Sequence, residues 1–112
     1  MQLNFHTKGF SLTDTDRGII TSNLRFILGR YGAAIKEVDI NLVRLVIDSA
    51  EKLKNTCQID IKISESKTFT EIETEADIYD AIQYCAYRMR RTLNHHFSLQ
   101  EKMGKRIIAT KK

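Results

Sequence analysis

Tyr84, Arg88, Arg91 and His95 recur at intervals of four, three and four residues inside the run Asp77–His96, with Tyr87 and Arg90 between them. At about 100° per residue, the first four fall on one side of a helix and the other two on its flank. An arginine guanidinium is a planar fork of donors that matches two phosphate oxygens, and a tyrosine ring can stack on a base or hydrogen-bond to a nucleotide. Such a ridge has the chemistry that recognition of a nucleic-acid backbone requires. The same residues would also serve as a solvated helix face whose arginines complement the negative end of the helix dipole.

The distribution of charge separates these readings. The net charge is +4, yet residues 1–87 hold 10 Lys/Arg against 13 Asp/Glu, whereas residues 88–112 hold 8 against Glu101 alone. Lys102, Lys105, Arg106, Lys111 and Lys112 prolong the basic end. A chain polarised in this way points to an anionic partner, and beside the ridge that partner is best read as nucleic acid.

Other residue types could do chemistry but lack the right setting. Glu71, Glu73 and Glu75 alternate and would line one face of a strand. Three carboxylates in a row could hold a cation, but an antiparallel sheet leaves one face in water. The expectation is a solvated row with Lys62 as a cross-strand counter-charge and no bound divalent metal. His95 and His96 are adjacent, so they point about 100° apart on a helix and cannot share a metal as a pair spaced by four can. Cys57 and Cys85 each sit in an apolar pattern and read as separate buried thiols. HExxH, GxGxxG, GxSxG and Walker-type loops are all missing. No catalytic residue, metal ligand or cofactor is therefore assigned, and the expectation is a protein that is not an enzyme.

The elements that must position the ridge follow from periodicity. Leu3 and Phe5 alternate with Gln2, Asn4 and His6, as in a first strand covered on one face. Thr13 and Asp16 form a capping-box pattern, and Ile20, Leu24, Ile27 and Leu28 recur at helical spacing over about 14–30. Val38, Ile40 and Leu42, then Cys57, Ile59, Ile61 and Ile63, alternate with polar residues, and "SESK" turns the chain into a fourth strand, Thr68 to Glu75. Ile78, Ile82, Cys85, Met89 and Leu93 then form the buried stripe of the ridge helix. This order, β-α-β-β-β-α, predicts an α+β fold with a four-stranded sheet and two helices packed on one face. With 42% apolar residues and 29% charged, no apolar run approaches the roughly 18 needed to span a membrane, and "MQLNFHTKGF" lacks a secretory pattern. A soluble cytoplasmic domain is expected.

"MQLN", "LTD" followed by Arg17, and above all "ADIYDAI" followed by "RMRRTL" are similar to segments of the short ribosome hibernation-promoting factor / ribosome-associated translation inhibitor family. The resemblance covers about residues 1–97. It implies a fold laid out like a double-stranded-RNA-binding domain, docked by its helical face in the small-subunit channel that tRNA and mRNA use. By position, Arg88 and Arg91 match basic residues that the family turns toward ribosomal RNA, while Asn94 and His95 stand where it places further basic residues. Arg25, Arg30 and Lys102 complete the candidate RNA contacts with Tyr84, Tyr87, Arg90 and His95. The implied activity is occupancy of the decoding region during stress or stationary phase, by a chain that is monomeric when free. The alternative is a regulatory module that keeps the fold and binds a non-ribosomal partner. Residues 98–112 read as a basic, flexible tail.

Overall fold

The alternation of Leu3 and Phe5 with polar neighbours builds β1 (Gln2–Lys8), and the Thr13 cap starts α1 (Asp14–Leu28), which tightens into a 3-10 turn at Gly29–Tyr31. Three strands follow, β2 (Glu37–Val46), β3 (Leu53–Ser64) and β4 (Lys67–Glu75), before α2 (Ile78–Thr110). The computed structural model describes the backbone of residues 1–47 and 52–110, and the side chains of 1–47 and 52–100. Strand order is β1-β2-β3-β4, with β1 parallel to β2 and the other pairs antiparallel. A parallel pair needs a crossover, and α1 supplies it. Both helices lie on one face of the sheet, as the α+β reading expects.

Burial follows the two periodicities. Val38, Ile40, Leu42, Cys57, Ile59 and Ile61 are fully buried beneath the helices, which contribute Ile20, Leu24 and Leu28 from α1 and Cys85, Met89 and Leu93 from α2. Each such aliphatic side chain stabilises the fold by about 1.5–3 kcal/mol relative to an exposed position. The opposite sheet face is polar and laced by side-chain bonds, among them Asn4 to Asp39 at 3.1 Å and Thr70 to Asp60 at 2.6 Å. Gly9 follows β1 at φ +88, where a Cβ would stand 2.2 Å from the Arg44 carbonyl oxygen, so only glycine fits this turn.

The glutamates of β4 are not on the open face. Phe69, Glu71 and Glu73 pair with the buried Ile61, Ile59 and Cys57, and therefore share the helix-covered side, while Thr68, Thr70, Ile72 and Thr74 face outward. Residues two apart share a face, so Phe69, which packs on the core, carries the glutamates with it. Because β4 is an edge strand at the border of α2, this inward face is only half covered, which makes the carboxylates tolerable there. Lys62, the expected counter-charge, pairs with Thr68 and reaches Glu65 at 3.2 Å instead.

The two cysteines also meet. Both are buried free thiols, and Cys85 Sγ donates to the carbonyl oxygens of Glu71 at 3.2 Å and Cys57 at 3.5 Å. Hydrogen bonding from Cys85, with burial, pushes the Cys57 thiol far above its ordinary value.

The helices run parallel and in register. Tyr79 donates to Asp16 Oδ1 at 2.5 Å where they begin, and Tyr31 donates to Asn94 where α1 ends, each pair 63 residues apart in sequence. Tyr31 also stacks on Phe97, with centroids 5.0 Å apart and planes 13° from parallel. Asp16 closes the capping box as well, accepting from the Thr13 N–H at 3.3 Å. Its carboxyl is held below the usual carboxylate range, first by Tyr79 and then by Thr13. A depressed folded value means a contribution present above the unfolded pKa and lost as pH falls through the folded one. Denaturant unfolding of Asp16→Asn should therefore show a stability deficit at neutral pH that closes below about pH 4.

Helix α2 continues through Thr110, well past His96, where the spacing in the sequence ends it. Gly104 disfavours helix most in this segment, by about 1 kcal/mol relative to alanine, and the helix formers Lys, Glu, Gln, Met, Leu and Ala surround it. Ser98, Leu99 and Gln100 are exposed. Deleting residues 98–112 should accordingly shift Tm by less than about 4 °C.

Candidate nucleic-acid interface

Asp77 starts α2 by accepting from the backbone N–H of Tyr79 at 2.8 Å and of Asp80 at 3.3 Å. The helix then presents three borders around its buried stripe. Toward β4 lie Arg88 and Thr92, and outward lie Tyr84, Tyr87 and Arg91, all three exposed. Tyr79, Gln83, Arg90 and Asn94, spaced four, seven and four, form the border along α1, as the bonds of Tyr79 and Asn94 to that helix require.

Arg88 is not a free cation. Its Nη1 lies 2.6 Å from Glu73 Oε1 and donates to the Ile72 carbonyl oxygen at 3.2 Å, while Nε is 3.7 Å from Glu71 Oε1. Glu73, first, raises the guanidinium pKa above its ordinary value. Thr92 donates to the other oxygen of Glu71 at 2.7 Å, so the misplaced glutamate row is in fact the partner set of the ridge. The sequence reading puts the Arg88 head in water. Here it is committed to β4, and the depression lined by Tyr84, Tyr87, Arg88 and Arg91 also contains Glu73 and Glu75.

Arg91, Arg90 and Arg30 differ from it. Among the described residues none of the three has a carboxylate partner. Arg30 follows Phe26 by four residues, and its guanidinium sits 5.7 Å from the centroid of Tyr31. The parallel register places Arg30 level with residue 93, so these three arginines gather around the far end of the two helices, whereas Asp14, Asp16 and Asp80 mark the beginning. Of these, Arg90 stands on the α1 border of α2 and Arg30 beyond it on the α1 side, while Arg91 faces outward and lines the depressions at the β4 edge.

The remaining candidates spread out. Arg25 is exposed, but stands two residues after Asn23 and hence about 200° around α1 from the interhelical side. His95 shares a shallow depression at the β4 edge with Lys67, Arg91 and Thr92. His96 turns inward, its ring edge-on to Phe69 and Phe97 with centroids 5.0 Å away in each case. The side chain of Lys102 lies outside the described residues. Phe26, 81% exposed beside Arg30, was not singled out from the sequence. The signal was there, since it falls off the Ile20-Leu24-Ile27-Leu28 stripe. No helix among the described residues is long and apolar enough to cross a membrane, and no group of three or more His, Cys, Asp or Glu among them could hold a metal ion.

No protein-family model matches the chain, and no curated protein matches it. Solved structures do. A ribosomal subunit interface protein from Coxiella burnetii superposes with a TM-score of 0.72 at 16% identity, covering 88% of this chain and 99% of its own. The N-terminal domain of Thermus thermophilus Protein Y gives 0.67 at 18% identity, covering 86% of this chain and 99% of its own. The chain has the fold of these two proteins.

Proposed function

We propose that this chain is a ribosome-associated factor of the hibernation-promoting type, which binds ribosomal RNA of the small subunit through its helical face and inhibits translation by occupancy. The observation that carries the reading is that Arg30, Arg90 and Arg91, at one end of two parallel helices, have no acidic partner among the described residues. The fold shared with a ribosomal subunit interface protein supports it, as does the excess of basic residues after position 87.

The mechanism needs no catalytic group. Each guanidinium exchanges condensed counterions for a phosphate contact, and a surface held against RNA in the decoding region excludes tRNA and mRNA from the same phosphates. Arg88, tied to Glu71 and Glu73, would join only by exchanging those carboxylates for phosphate. The test is a cell-free translation assay paired with tRNA binding to programmed small subunits. Titrating in the protein should reduce both in parallel. Inhibition with tRNA binding intact would place the target elsewhere on the ribosome, and no inhibition would favour a non-ribosomal acidic partner.

A further inference from the structure

A groove of about 250 Å³ opens between α1 and α2. Its walls are aromatic, with Phe26 on α1 and Tyr79 and Tyr87 on α2, over a floor of Leu24, Ile27 and Ile82. Asn23 and Gln83 flank it. Neither amide has a hydrogen-bond partner among the described side chains, whereas Asn94, further along the same border, is spent on Tyr31. Tyr79 at one end of the groove is tied to Asp16, and the parallel register of the helices sets Arg30 and Arg90 beyond the other end, one turn past Phe26 and Tyr87.

Single exposed apolar residues are ordinary on protein surfaces. This site is different because four kinds of group converge. Aromatic faces, amides and guanidiniums without partners among the described residues, and a volume just below the roughly 300–1,000 Å³ of drug-sized sites together suit one planar ring with an anion on its flank. That is the chemistry of a nucleotide taken out of its stack, since unpaired RNA bases are read by stacking on aromatic rings and by hydrogen bonds to their edges.

We infer that the groove between α1 and α2 receives a single unpaired RNA base, which stacks on Phe26 against Tyr87 while its flanking phosphates meet Arg30 and Arg90. The inference rests on the RNA-binding reading above and adds a site for the base to one for the backbone. Asn23 and Gln83 would contact the base edge, so the groove confers a base preference that the arginines alone cannot.

The test measures small-subunit affinity across a salt series for wild type, Phe26→Leu and Phe26→Trp. Phe26 is 81% exposed, so these variants should fold. Leucine keeps the apolar bulk and removes the aromatic face, and should weaken binding roughly 5- to 150-fold, the range that loss of one base stack produces. The salt slope should stay unchanged, because no phosphate contact is lost. Tryptophan should bind within about two-fold of wild type, because it keeps a π face for stacking. A leucine variant as tight as wild type would overturn the inference, pointing to no contact or to a merely apolar protein contact. A tryptophan variant as weak as the leucine one would overturn it too. If wild type itself fails to bind small subunits, the RNA-binding reading falls first and the groove proposal with it.

Discussion

Replacing Arg30 and Arg91 together by glutamate should abolish association with the small ribosomal subunit while leaving the fold in place. Both side chains are exposed and neither has a carboxylate partner among the described residues, so the stability cost should stay within about 0.5 kcal/mol per site. Each charge-assisted contact to phosphate is worth about 1.5–3 kcal/mol, and glutamate adds repulsion, so affinity should fall on the order of 100-fold or more. The neutral pair, Arg30→Gln with Arg91→Gln, separates charge from shape. It should make the slope of log affinity against log salt shallower by about 1.5 to 2 units. Sedimentation with purified subunits measures binding, and thermal unfolding measures the fold.

Arg88→Glu should behave in the opposite way. It removes the ion pair with Glu73 and the contact with Glu71, and sets a third carboxylate beside two that are only 18% and 22% exposed. Tm should fall by about 4 °C or more, where Arg91→Glu barely moves it. Adding Glu71→Gln and Glu73→Gln to the Arg88→Glu chain should recover most of that loss, because the repulsion disappears with the charges. The two glutamine substitutions alone should leave small-subunit binding intact or strengthen it. They release Arg88 toward solvent and remove acid from the flank of the ridge. If Arg88→Glu unfolds at the wild-type temperature, the β4 carboxylates do not hold it in solution.

The contrast between these arginines shows how far the sequence is legible. Alternation along Val38–Leu42 and Cys57–Ile61, and the 3.6-residue recurrence through Ile20–Leu28 and Ile78–Leu93, reveal the elements and the core, since both depend on local spacing. Which neighbours a polar residue meets does not. Glu71 and Glu73 look solvated until the parity they share with Phe69 is set against the buried face of β3, and Arg88 looks free until α2 is laid along β4. Cys57 and Cys85 lie on inward positions of different elements, so only packing brings them together. Phe26 acquires meaning from Tyr87 on the other helix, and the parallel register that joins them rests on Tyr79 and Tyr31 bonds across 63 residues. The far end of α2 is not legible because the apolar stripe ends at Phe97, although backbone helix propensity continues beyond it.

Binding of the helical face to the small subunit through phosphates can be read from co-sedimentation of the intact chain with purified subunits over a potassium chloride series. The predicted result is saturable, one-to-one binding to small but not large subunits. Its log–log salt slope should have a magnitude of about 2 to 3, as three arginine–phosphate contacts at 0.7–0.9 each require. Absence of binding at low salt, or affinity that does not change with salt, would rule out phosphate-mediated binding by this face.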